Sequence, residues 1–190
     1  MKAQRKKNNQ HLFHNILQSS HGNPRQAVHF AYLAGLIDGE GTIRIDKLRA
    51  EKSGMKKKKS ISPGYAIHIS LGSVDGIMSK IFQRTFNVGS LRVERVAGKR
   101  PIYRWHVRGN KSTLPVIKGL MPYLIIKKPQ AELALRLVAG WKTPKAKAFG
   151  VDPLELQRRE DVYLKMRKLN AVGAAATTER DGTREGEATV

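Results

Sequence analysis

The chain has 190 residues, enough for one domain with tails or two very small ones, and it has no cysteine, which excludes disulfides and thiolate metal sites. Lys and Arg number 36 against 15 Asp and Glu, a formal net charge of +21; such an imbalance attracts a polyanion, nucleic acid first, through salt-sensitive contacts. No apolar run approaches the roughly 20 residues that a bilayer span needs, and no apolar segment follows the basic start, so we expect no membrane partner and an intracellular, non-secreted protein, with cytoplasm, nucleoid and organelle all open.

Residues 1–23 hold Lys2, Arg5, Lys6 and Lys7 and no acid, and read as a flexible basic arm. Leu12, Phe13, Ile16 and Leu17 allow a turn or two of helix there, and an organellar transit segment stays open. Asn23-Pro24 is a helix start, with Asn as the cap and Pro in the first turn. The helix is expected to reach about Gly39. Its apolar residues (Ala27, Val28, Phe30, Ala31, Leu33, Ala34, Leu36, Ile37) cover most of the circumference, so it should be buried on nearly every side. Ala27, Ala31, Gly35 and Gly39 follow one another at i+4 steps. A row of such small residues lets a second helix approach closely, or merely accommodates a sheet.

Alternation predicts strands over 42–48 and 65–71, joined by a polar loop carrying Lys56, Lys57, Lys58 and Lys59. Asp75 is placed to cap a second helix with Ile77, Met78, Ile81 and Phe82 inward, ending near Asn87. A second hairpin pairs 88–96 with 102–108 across a turn at 97–101. Helices are then expected over 110–120, from Pro129 to Trp141, and from Asp152-Pro153 to about Leu169. Residues 171–190 read as a disordered tail, which leaves one domain over 24–170. The class is α+β: a four-stranded antiparallel sheet with helices on one face. The other face would carry Arg44, Asp46, His68, Ser70, Arg92, Glu94, Arg104 and His106. These are hydrogen-bonding types that read base edges, and a saddle of strands fits the major groove. The lysines at the hairpin tip, Lys57 and Lys58 in particular, either reach backbone phosphates or are simply solvated.

Glu40 follows the first helix directly. A lone carboxylate at a turn is ordinarily a surface charge. Packing two such helices along the small-residue row would bring two copies of Glu40 together, and a divalent cation relieves their repulsion. The negative end of each helix dipole favours the same cation.

The stretch Leu33-Ala34-Gly35-Leu36-Ile37-Asp38-Gly39-Glu40-Gly41 resembles the signature of the LAGLIDADG homing endonucleases, and the predicted αββαββα order over 24–120 is similar to that family's saddle-sheet fold. The resemblance covers roughly residues 24–141 and contains one motif, as in the homodimeric branch. It implies double-strand cleavage of a long pseudo-palindromic DNA site by divalent-metal-dependent phosphodiester hydrolysis, with Mg2+ or Mn2+ as cofactor. It implies that Glu40 and the Gly39 carbonyl bind the metal, that Asp38 caps the partner helix, and that Ala27, Ala31 and Gly35 face the partner. Lys127 matches the family's catalytic basic residue, and Lys128 is the alternative if the register shifts by one. After the second strand, where relatives carry Gln and a basic residue, this chain has Leu71-Gly72-Ser73-Val74-Asp75, with no cation. The rival readings are an RNA maturase acting on intron RNA, a non-cleaving nucleic-acid-binding protein of the same fold, and an rRNA-binding protein suggested by charge alone.

Overall fold

The computed structural model describes residues 24–48, 62–139 and 151–182, with side chains described to 171. Helix α1 (Pro24–Glu40) leads into β1 (Gly41–Leu48) and β2 (Gly64–Ser73); α2 (Ile77–Phe86) precedes β3 (Ser90–Glu94) and β4 (Ile102–Arg108). Then come α3 (Asn110–Leu120), a single 3-10 turn (Met121–Tyr123), α4 (Lys128–Ala139) and α5 (Pro153–Gly182). The strands form one antiparallel sheet in the order β1-β2-β4-β3. This is the expected α+β architecture. No helix among the described residues is long and apolar enough to cross a membrane.

Period-two alternation decides which sheet face is buried. Ile43, Ile45, Ile67, Ile69, Leu71, Trp105 and Val107 all lie under the helices. Against them α1 sets Phe30, Leu33, Ala34 and Ile37, the i, i+3, i+4, i+7 pattern of a helix with one face in a core. Each large side chain among them contributes roughly 1.5–3 kcal/mol on burial. Trp105 is fully buried beside Phe82 and Phe86, and its indole N–H donates to the Val88 carbonyl at 3.0 Å.

That bond explains why the third strand is shorter than alternation predicts. Val88 gives its carbonyl to Trp105 instead of a ladder, and Gly89 then turns with φ 84°. A Cβ on Gly89 would sit 2.6 Å from the His106 carbonyl, so glycine is required there. β3 is an edge strand exposed along its length, and Leu91 and Val93 stay partly exposed although alternation turns them inward. The N-cap position falls to Gly76, in the left-handed conformation, and Asp75 stands one residue before it; its Oδ1 nevertheless accepts the Ile77 N–H at 3.0 Å. Where β4 ends, Asn110 continues the pairing by accepting the Ile67 N–H and donating to the Tyr65 carbonyl.

Two expectations change. α1 is buried on one face only, not on nearly every side. The last helix runs to Gly182 instead of stopping near Leu169, and takes in 171–182 of the segment read as a disordered tail. That segment is rich in alanine, the strongest helix former, and composition read as disorder missed this. The basic arm, the cap at Asn23, the lysine-rich loop and Trp141 lie outside the described residues.

α5 is fastened to α4 and to the outer edge of β1. Arg158 donates to the Arg136 and Leu137 carbonyls, capping the end of α4. Glu155 holds Arg158 and the buried Arg159 at 2.7 Å each. At the sheet edge Lys47 pairs with Glu160 at 2.7 Å, and Asn170 donates to the Ile43 carbonyl at 3.2 Å. The hydrogen bonds from Arg158, then those from Arg159, pull the Glu155 carboxyl down to about 2. A folded-state value below the unfolded one stabilises above the unfolded pKa, here 4.5, and is lost as pH falls toward 2. Acid titration followed by helix circular dichroism should therefore show loosening in that window, and Glu155→Gln should flatten it.

Candidate active site

The site is built at the carboxyl end of α1. Glu40 is the last helical residue and is exposed. The chain turns at once into β1, which only Gly41 allows: a Cβ there would meet Ile37 Cα at 2.7 Å and Ile37 O at 2.9 Å. The carboxylate thus stands beside carbonyls at the negative end of the helix.

Asp38 points the other way, into its own chain. Its Oδ2 accepts the Ile125 N–H and its Oδ1 the Lys127 N–H, both at 2.8 Å. Asp38 therefore closes the approach to α4 within one chain, and both its oxygens are engaged. The Lys127 ammonium donates back to the Asp38 carbonyl, which ties the bend before α4 to the end of α1. Burial pushes the Lys127 pKa down, while the charges of Asp38 and Glu40 pull it up. The two expected catalytic residues therefore share one electrostatic environment. Lys128 is exposed as the first residue of α4. Ser73 and Asp75, in the stretch after the second strand, serve the start of α2: Ser73 Oγ accepts the Gly76 N–H at 3.2 Å.

The small-residue row lies on the open side of α1. Ala31, Gly35 and Gly39 are exposed and Ala27 half-buried, and a Cβ added at Gly35 or Gly39 would meet nothing within 4 Å. Large apolar side chains flank the row and the nearby bend: Val28 is 69% exposed, Tyr32 53%, Ile125 83% and Ile126 68%. An apolar surface of this kind is characteristic of an interaction face.

On the far side of the sheet, register groups the expected DNA-contacting residues into rows. Arg44, His68 and Arg108 lie across β1, β2 and β4; Thr42, Ser70, His106 and Ser90 form the next row; Gly72, Arg104 and Arg92 the third. The carboxylates on this face are committed to arginines. Asp46 accepts from Arg44 and from Arg108 at 3.0 Å each, and Glu94 receives Arg104 in a two-bond fork at 2.8 and 3.0 Å. They preset the guanidinium groups more than they offer free acceptors. Arg108 and Ser90 extend the expected set; alternation along β4 already puts Arg108 on this face, but its pairing with Asp46 depends on a register that sequence does not state. Lys57 and Lys58 lie outside the described residues.

Residues 33–133 match the family described as LAGLIDADG endonuclease. The chain belongs to the LAGLIDADG endonuclease family. Solved structures agree on the fold. The homing endonuclease I-CvuI in complex with its target in the presence of calcium is 23% identical, with 77% of this chain and 85% of that chain covered and a TM-score of 0.62. The archaeal intron-encoded homing endonuclease I-Vdi141I complexed with DNA is 17% identical, with 76% and 85% covered and a TM-score of 0.56. The LAGLIDADG homing endonuclease I-GzeII in complex with its DNA target is 18% identical over 72% of this chain but only 44% of that chain, with a TM-score of 0.55. No curated protein matches. The family motif opens at Leu33, so it includes the exposed helix face from Gly35 onward and the Glu40 terminus, and the match continues through Lys127 to Leu133.

Proposed function

We propose that two copies of this chain form a site-specific, double-strand DNA homing endonuclease that cuts a long pseudo-palindromic site. The observation that carries this reading is the open face of α1: small residues flanked by exposed apolar ones, ending on an exposed carboxylate. A helix apolar on both sides but buried on one leaves a face for a partner, and the same face of a second copy meets it by two-fold symmetry. One chain carries one motif. The match to I-GzeII leaves more than half of that chain uncovered, room for a second unit of this size.

The donor set fits a hard divalent cation shared between chains. Among the described residues no group of three or more potential ligands forms within one chain. Asp38 is spent on backbone N–H groups, so each chain offers the Glu40 carboxylate and the Gly39 carbonyl. Oxygen donors of this kind select Mg2+ or Mn2+ over softer ions. When bound, such an ion stabilises charge on the scissile phosphate and lowers the pKa of a water. Lys127, held beside Glu40 by Asp38 and partly desolvated, is the group placed to hand over a proton there. The arginine-lined sheet face grips the duplex, with Arg44, Arg92, Arg104, Arg108, His68, His106 and Ser70 toward the groove.

The test is cleavage of a plasmid library carrying long randomised or intron-flanking sites. Magnesium-dependent double-strand cutting at one long site is expected. Tight RNA binding with no cleavage of any duplex would favour the maturase reading instead. Duplex affinity should fall linearly with the logarithm of salt, and Arg44→Gln should lower that slope by about 1 if Arg44 meets a phosphate; fluorescence anisotropy over a salt series measures it.

A further inference from the structure

We propose that the groove between α4 and α5 is a docking site for an acidic amphipathic helix of a partner protein. The groove has a volume of about 370 Å³. Leu133, buried, and Leu169, half-buried, supply its apolar floor, with Pro129 beside the start of α4. Arg136, Lys165 and Lys168 line it as exposed cations, and Glu132 is its one acid.

The lining is that of two facing helix stripes. On α4 it recurs at i, i+3, i+4 and i+7 from Pro129 to Arg136, and on α5 at i, i+3 and i+4 from Lys165 to Leu169. The helices run antiparallel: Arg158 meets the Arg136 and Leu137 carbonyls at the far end of α4, and the later residues of α5 lie along its beginning. The stretch from Pro129 to Arg136 rises about 10 Å, two helical turns. A third helix laid there would meet apolar side chains along its middle and cations on both flanks, the helix-in-groove mode of recognition.

The acids of α5 near this groove are committed elsewhere. Glu155 holds Arg158 and Arg159, Glu160 holds Lys47 and Tyr65, and Asp161 accepts from Gln157. The side chains of Arg136, Lys165 and Lys168 make no ion pair or hydrogen bond among the described residues, and neither does Glu132, four residues before Arg136. The excess of cations calls for an acidic occupant. Residues 1–23 of the chain itself are basic and carry the wrong charge for it. Two features favour a peptide over nucleic acid. No lining residue is aromatic, so no base can stack, and the Glu132 carboxylate repels a phosphate. To a visiting helix the same carboxylate is an acceptor for a lysine or for a backbone N–H at its amino end.

The test uses the full chain without DNA, so it stands apart from the endonuclease reading, and near-physiological salt screens the general attraction of a +21 protein for acids. The probe is a fluorescein-labelled alanine-based helix of about five turns, with leucines in one stripe at i, i+3, i+4 and i+7 and glutamates on both flanks. Fluorescence anisotropy should show it binding about tenfold or more tighter than a peptide of the same composition with its leucines spread around the helix. The doubly substituted Lys165→Ala, Lys168→Ala chain should weaken binding by roughly two- to thirtyfold, with circular dichroism unchanged. Lys111→Ala with Lys118→Ala, the same charge change on α3, should leave it within about twofold. Equal binding of the two peptides, or equal loss in the two double variants, overturns the proposal. So does a single-stranded RNA that displaces the peptide and itself loses affinity in the Lys165→Ala, Lys168→Ala chain, since the groove would then belong to nucleic acid.

Discussion

Glu40→Gln is expected to abolish double-strand cutting while leaving duplex affinity and the two-chain mass close to those of the parent. The substitution keeps the size of the side chain and removes its charge. Glu40 makes no fold contact that would be lost, since it is exposed at the end of α1. What disappears, in the proposed site, is the carboxylate that each chain would offer to a cation, because both oxygens of Asp38 accept backbone N–H groups. Metal-assisted charge stabilisation is worth several kcal/mol, and each 1.4 kcal/mol is tenfold in rate, so a loss of roughly a thousandfold or more is the expectation. A mixed dimer of one parent and one substituted chain sharpens this: if each carboxylate serves mainly one strand, the product is a nicked circle. Cutting at near-parent rate by Glu40→Gln would remove Glu40 from the mechanism.

The second large effect is expected from Gly35→Val. Within one chain the substitution is benign: a Cβ there meets nothing within 4 Å, and the residue sits in a regular helix. Between two chains it is not, because close approach of helices depends on the missing side chain. A two-fold axis puts the change in both partners at once. Overpacking costs about 1–3 kcal/mol at a site, so two copies cost roughly 2–6 kcal/mol, or about thirtyfold to twenty-thousandfold in dimer dissociation. Analytical ultracentrifugation over a dilution series reads this directly, and cutting should fall with the dimer population. A Gly35→Val protein that stays folded, dimeric and active would show that the partner docks elsewhere.

Much of this architecture is legible in the sequence, for physical reasons that particular residues illustrate. The strand faces follow from strict alternation in Ile43/Ile45, Ile67/Ile69/Leu71 and Trp105/Val107, which a pleated sheet cannot evade. The Glu40 terminus follows from the Gly39-Glu40-Gly41 signature, and Gly41 proves to be a steric necessity. The failures have causes as definite. β3 loses its ends to a tertiary bond from Trp105 that no local pattern encodes. The apolar residues around α1 suggested burial on nearly every side; periodicity reports that a face is apolar, not whether its cover comes from the same chain. Asp46 and Glu94 looked like groove-reading groups, yet register hands them to Arg44, Arg108 and Arg104. Cross-strand pairs of that kind depend on alignment, and alternation leaves alignment open.

In the proposed dimer one chain holds half of a cutting centre. Sedimentation equilibrium tests it most directly, at the protein concentration and magnesium level at which cutting is observed, with and without duplex. A dimer gives a protein mass of twice 21.3 kDa per complex. A protein mass of 21.3 kDa in a preparation that cuts both strands would contradict it.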